Sequence, residues 1–360
     1  MINKNSNQGF SLEQWLTGDP LQYYVGMFEE TKKMPEFLLS AIMPTVYIED
    51  PEFSWEIIAD VLPVSAIGDN PDGIGNPVVR QGLKKYFSET FTFKQHRTLP
   101  SALYLALRNG SNASGMATQK IFNDVDMVIM GLQTSLEKFR AQAVQYGKVQ
   151  MTKANDGIDI NYDFGVPANH KVSLQSAPST EKWSDTENSK PLEDMAEWKK
   201  TVEDDMDFLY GMCSQQIMDW LLANKSIKQA YYGTDKMNQP MTVLELNEFL
   251  NRKGLPMIMV NKDKYRHAVD FSEVKFWNDN KLVFFGAETI GNIFTSKTQE
   301  QEWVEAGIND FQVARTESGL YVTTYENKGN FMKKDFMTIG AVKAMAAVPF
   351  NKKLFIADIY

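Results

Sequence analysis

The chain has a single cysteine, Cys213, among its 360 residues. No disulfide can form within one copy, which fits a reducing compartment. Histidine is almost as scarce. His96, His170 and His267 lie far apart in sequence, and none stands at the short spacing from cysteine or carboxylates that a metal site uses. Each is expected as a surface or satisfied structural residue. There is no P-loop, no G-x-G-x-x-G and no G-x-S-x-G, so the common phosphate cradles and the nucleophile elbow are missing. No apolar run approaches the roughly 18 residues that cross a bilayer, and residues 1–9 carry no apolar stretch of signal type. Positive charge is in deficit as well. The formal net charge is -9, and no basic stripe offers a grip on nucleic acid.

Three weaker features invite a chemical reading. Cys213 follows Phe208-Leu209-Tyr210-Gly211-Met212, a setting for a small buried hydrophobe. A nucleophilic thiolate wants cationic neighbours, whereas Asp204, Asp205 and Asp207 are acidic. The run Asp69-Asn70-Pro71-Asp72-Gly73 resembles the opening of a calcium loop, but its twelfth position is Arg80, where that loop needs a bidentate glutamate. A turn is the better reading. The acidic cluster Glu193, Asp194, Glu197, Glu203, Asp204, Asp205 and Asp207 has metal-binding chemistry, yet Lys199 and Lys200 are interleaved, and a solvated helix face is favoured. No catalytic, cofactor-binding or metal-ligating residue is assigned, and no cofactor is expected.

What is present is architectural. Apolar residues make up 43% and charged residues 23%, as in ordinary globular proteins. The length suggests two domains, or one body with appendages. Residues 10–51 are apolar but broken. Trp15, Tyr23, Tyr24, Phe28 and Phe37 alternate with Pro20, Pro35, Pro44 and Pro51, which rules out a long helix. Residues 52–100 read as a ribbon of two extended stretches around the turn-rich tip 68–77, and the return contains Phe91-Thr92-Phe93 with period-two alternation. A lone ribbon is marginal in water and needs outside support. Residues 114–147 give the strongest helix signal. Ile121, Val125, Val128, Leu132, Leu136 and Phe139 trace one stripe, and Gly147 stands ready to end it. Helices are expected over 192–202, 215–230 and 243–250. Buried strands are expected at 257–260 and 282–285, and closing strands at 319–325, 336–348 and 354–360. Arm and ribbon carry more apolar surface than they can bury alone, which marks an associating protein.

The order of these elements, with several local motifs, resembles the lambda-type bacteriophage major capsid protein family (major capsid protein E). Three places carry the resemblance. The long helix ends in Val144-Gln145-Tyr146-Gly147-Lys148-Val149 and enters a strand. Trp183-Ser184 is followed by Lys190-Pro191-Leu192-Glu193-Asp194. The end holds Tyr321-Val322-Thr323-Thr324-Tyr325, Lys334-Asp335-Phe336-Met337-Thr338, and 344–348 before Pro349. The run 282–293 is similar to the family's apolar strand with a glycine-rich continuation. The resemblance implies an α+β protein of the Hong Kong 97-type phage capsid fold. It would have an N-terminal arm (1–51), an extended β-hairpin E-loop (52–100), a peripheral domain (101–165 and 320–360) with a spine helix about 117–146, and an axial domain (166–319).

The function implied is that of a structural, non-enzymatic subunit. It would self-assemble into hexamers and pentamers of an icosahedral head around double-stranded DNA, in the bacterial host cytoplasm. Trp15, Tyr23, Tyr24, Phe28, Phe91 and Phe93 are then the candidates for contacts between subunits. Implied partners are the chain itself, a scaffolding protein, a portal protein and a decoration protein. The packaged DNA would be contacted only non-specifically, and no membrane is involved. Two alternatives stand beside this reading. One is the shell protein of a related cellular nanocompartment, and the other is a cytoplasmic enzyme built on the α/β section, which would need a pocket of convergent polar groups.

Overall fold

Ile121, Val125, Val128, Ile129, Leu132, Leu136 and Phe139 are all buried along one side of the helix Ala113–Tyr146, the stripe expected from the three- and four-residue spacing. Gly147 ends the helix. Its φ is +63°, and its N–H bonds to the Ala143 carbonyl at 3.0 Å. A Cβ at this position would also stand 2.6 Å from Val166 Cγ2. Gly147→Ala is therefore expected to cost about 1–3 kcal/mol, read from the urea midpoint of the unassembled chain.

The computed structural model describes residues 21–26, 37–49, 53–57, 84–88, 91–100, 113–152, 160–236, 238–267, 270–307, 314–327 and 335–360. These fall into two compact units. One takes its described residues from Met1–Phe53, Glu89–Arg140 and Asn292–Ala346, the other from Ser54–Ser88, Ala141–Gly291 and Ala347–Tyr360.

The first unit carries a sheet in the order Thr45–Tyr47, Asn292–Ser296, Asp335–Ala347, Tyr321–Asn327, Ala314–Arg315, with Phe91–Leu99 also paired to Asp335–Ala347. The long helix sits closely on this sheet. At Gly340 a Cβ would meet Val128 Cγ1 at 2.2 Å and Leu132 Cδ1 at 3.0 Å, so only glycine admits the helix here. The alternation at Phe91-Thr92-Phe93 does form a strand. It runs antiparallel to Asp335–Ala347, with Phe91 opposite Ala344 and Leu99 opposite Phe336. Of the expected ribbon, Phe53–Ile57 and Lys84–Ser88 pair with each other. The tip 68–77, with its Asp69–Gly73 turn, lies outside the described residues.

The second unit carries a five-stranded sheet in the order Lys171–Ser173, Leu354–Asp358, Lys281–Phe285, Tyr210–Cys213, Met257–Val260. The two outer pairings are parallel and the inner two antiparallel. Every residue of the central strand Lys281–Phe285 is buried, as its unbroken apolar run requires. Helices Pro191–Thr201, Gln215–Ala223, Lys225–Tyr232 and Val243–Arg252 complete a core of Met195, Trp198, Ile217, Leu221, Ile227, Leu246 and Leu250. Thr242 and Glu245 cap the last of these reciprocally.

Three details differ from the sequence reading. The single helix expected over 215–230 is two helices. Asn224 leaves the helical region (φ -61°, ψ 128°), because its Oδ1 accepts the Ile227 N–H at 3.1 Å and its Nδ2 donates to Ser189. That is an N-cap inside an apolar run. Met257–Val260, expected as a buried strand, is an end strand with exposed Met257 and Met259. The closing strand Leu354–Asp358 pairs with Lys281–Phe285 in the second unit and not with the strands that precede it, and the chain passes between the units at 53/54, 88/89, 140/141, 291/292 and 346/347.

Candidate functional site

The surfaces relevant to association begin with the proline-broken segment near the N-terminus. Its described parts lie on their own unit. Pro44 precedes the strand Thr45–Tyr47, which runs parallel to Asn292–Ser296 with Thr45 opposite Ile293. A buried ion pair on the long helix holds the turn before it. Glu137 and Arg140, three residues apart, are 0% and 2% exposed, and their side chains meet at 3.1 Å. Arg140 Nε donates to the Met43 carbonyl at 2.8 Å and Nη2 to Thr45 Oγ1 at 2.6 Å. Glu137 Oε1 accepts the Leu39 N–H at 3.2 Å. Burial pulls the Arg140 guanidinium down from its ordinary range, and Glu137 opposes that.

The helical residues 21–26 are anchored at four positions. Leu21 and Val25 are buried. Tyr24 stacks on Phe122 with ring centroids 4.2 Å apart, and its hydroxyl donates to Asp126 Oδ1 at 2.7 Å. Burial and that carboxylate push the phenol up. Gln22 exchanges two hydrogen bonds with the main chain of Arg315. Tyr23, between them, is 71% exposed.

The six aromatic contact candidates therefore separate. Tyr23 points to solvent. Tyr24 packs within its own chain, and Phe93 meets Phe139 edge to face at 5.9 Å. Phe91 and Phe93 are partly buried on the same strand. Trp15 and Phe28 lie outside the described residues. Glu137, Arg140 and Gln22 were not foreseen. The one available signal was the phase of Arg140, four residues beyond Leu136 and so in line with the apolar stripe.

The titratable groups read as structural. Cys213 is buried, and burial raises its thiol. His170 is buried, with Nδ1 3.1 Å from the Leu354 carbonyl and Nε2 3.3 Å from Asp205 Oδ2. Lys352 bonds Asp205 at 2.8 Å and holds that carboxyl below its usual range. His96 is exposed, and His267 pairs with Asp270 at 3.3 Å. In the acidic cluster, Lys199 pairs with Asp207 and Trp183 donates to Asp194. Among the described residues, no group of three or more His, Cys, Asp or Glu side chains is placed to hold a metal ion, and no helix is long and apolar enough to cross a membrane.

The mixed fold, with a long helix on one sheet and a second unit with its own five-stranded sheet, is of the Hong Kong 97 type found in phage capsid proteins. Solved structures with this fold include a prophage protein of Escherichia coli CFT073 assigned as a capsid protein. It is 14% identical, with a TM-score of 0.60, and the match covers 96% of this chain and 99% of that one. A phage-related protein from Bordetella bronchiseptica RB50 is 12% identical, with a TM-score of 0.54, covering 95% and 97%. No curated protein matches the sequence. Residues 25–306 match the model of the phage major capsid protein E family, and the chain belongs to that family. It is a structural protein of the bacteriophage capsid and assembles with itself into the virion shell.

Proposed function

We infer that this capsid protein forms the hexamers and pentamers of an icosahedral tailed-phage head that encloses double-stranded DNA. The family match over residues 25–306 carries the reading. Closed rings and shells follow from repeated use of a few complementary surfaces. The unit with the long helix and the sheet ending at Ala314–Arg315 acts as the peripheral domain. The unit with the sheet ending at Met257–Val260 acts as the axial domain. Residues 1–51 act as the N-terminal arm and residues 52–100 as the E-loop, with the Phe53–Ile57/Lys84–Ser88 pair within it. Assembly takes place in the bacterial cytoplasm, with a scaffolding protein and a portal protein, and a decoration protein binds the finished head. The net charge of -9 gives the chain as a whole no attraction to the packaged DNA, so contact with it is weak and without sequence preference.

Negative-stain electron microscopy of the expressed chain, alone and with a scaffold, is expected to reveal shells, tubes or capsomer-sized particles. A strictly monomeric chain under both conditions would overturn the reading. Among the described contact candidates, Tyr23 is the least engaged by its own chain. Tyr23→Ser is expected to lower particle yield severalfold with the melting temperature shifted by less than about 2 °C, as for a surface substitution. Equal particle yield would remove Tyr23 from the contact.

A further inference from the structure

Each of the two large sheets ends on a strand whose outward main chain is taken by a carboxamide side chain. In the first unit that strand is Ala314–Arg315. Ala314 pairs with Val322, and Thr316 N donates to the Leu320 carbonyl at 2.9 Å. Positions 314 and 316 thus face inward, and Arg315 turns its N–H and C=O away from the sheet. Gln22 takes both. The Arg315 N–H donates to Gln22 Oε1 at 2.8 Å, and Gln22 Nε2 donates to the Arg315 carbonyl at 2.9 Å.

In the second unit the strand is Met257–Val260. Asn261 N donates to the Cys213 carbonyl at 3.0 Å, so odd-numbered positions face the neighbouring strand and Ile258 faces out. Asn247, on the helix Val243–Arg252, takes both of its groups. The Ile258 N–H donates to Asn247 Oδ1 at 2.8 Å, and Asn247 Nδ2 donates to the Ile258 carbonyl at 3.1 Å. In both sheets one amide stands where the main chain of a further strand would bind.

An open edge strand is a template for a strand of another copy. Head-to-tail addition of that kind grows fibres wherever its rotation does not close a ring. A subunit that meets its copies at high local density is exposed to that error. The second edge is especially so, because Met257, Met259 and Leu244 beside it are 54%, 40% and 70% exposed. The sheets have other edge strands among the described residues: Thr45–Tyr47, Lys171–Ser173, and Phe91–Leu99, which pairs only with Asp335–Ala347.

We propose that Gln22 and Asn247 protect correct self-assembly by closing these two edges to strand addition from another copy. This rests on the reading that the chain assembles with itself. The test compares the full-length chain with Asn247→Leu and Gln22→Leu by thioflavin fluorescence, sedimentation and electron microscopy. Each variant is expected to shift mass from closed particles to thioflavin-positive fibres or ribbons. Adding Val260→Pro to Asn247→Leu removes another outward N–H without restoring the amide, and edge strands tolerate proline. It is expected to suppress the fibres. A folded Asn247→Leu chain with no fibres overturns the proposal at that edge. So does amorphous aggregation with a lowered melting temperature that Val260→Pro leaves unchanged. A folded Gln22→Leu chain with no fibres overturns it at the other edge. If the parent chain forms no particles at all, the assembly reading falls, and the fibre signal of each variant against the parent still decides whether the edges are locked.

Discussion

Arg140→Ala is expected to cost about 3–5 kcal/mol in the urea unfolding of unassembled subunits, the usual penalty for removing one partner of a buried ion pair. The substitution leaves Glu137, 0% exposed, as an uncompensated charge inside the first unit. It also strips the Met43 carbonyl and Thr45 Oγ1 of their donor. Arg140→Lys is expected to recover only part of the loss. A single ammonium cannot reproduce the fork that serves Glu137, Met43 and Thr45 together. The double replacement Glu137→Leu/Arg140→Met separates charge from connectivity. Exchanging a buried pair for apolar side chains is often neutral or better. Here the Leu39 N–H loses its acceptor as well, so the double variant is expected to stay below the parent. Its residues 37–47 should also become cleavable by a nonspecific protease before the rest of the unit. A double variant as stable and as resistant as the parent would show that the pair does not tether this segment.

The Arg140 site marks where sequence reading ends. The long helix was legible because a buried stripe must recur every three or four residues, and its stop was legible because Gly147 adopts a φ that other residues resist. The central strand was legible because Leu282-Val283-Phe284-Phe285 is apolar on both faces. Pairing partners were not. The period at Phe91-Thr92-Phe93 announces a strand, but nothing local says that it lies along 336–344. The strand Leu354–Asp358 was equally visible, while its place beside Lys281–Phe285 depends on a contact more than 60 residues away in sequence. Carboxamides were the least legible of all. Asn224, Asn247 and Gln22 act through hydrogen bonds to main chain, and apolar periodicity does not register those. Asn224 breaks a helix that the apolar spacing alone makes continuous.

The motif Trp183-Ser184 with Pro191-Leu192-Glu193-Asp194 has a physical reason in the structure. Trp183 is fully buried and stacks on Trp198 with centroids 5.6 Å apart, and Trp198 in turn lies 5.8 Å from Phe355. Its indole N–H donates to Asp194 Oδ2 at 2.8 Å. Asp194 lies in the first turn of the helix that opens at Pro191, so the bond ties the preceding loop to the helix start. Trp183→Ala is expected to cost about 3–5 kcal/mol, the range for truncating a buried aromatic. Trp183→Phe keeps most of the ring and removes only the donor, so its loss is smaller and depends on pH. Burial already raises the Asp194 carboxyl, helped by Glu197, Glu193 and Glu181, while the indole opposes the rise. Without that bond the folded-state value climbs further above the unfolded one. A raised carboxyl destabilises the fold above its folded pKa, and the penalty fades as acid protonates the group in both states. The deficit of Trp183→Phe relative to the parent should therefore be larger at about pH 7 than at about pH 4. Urea titrations of both chains at the two pH values measure it, and a deficit independent of pH would mean that the cost is packing alone.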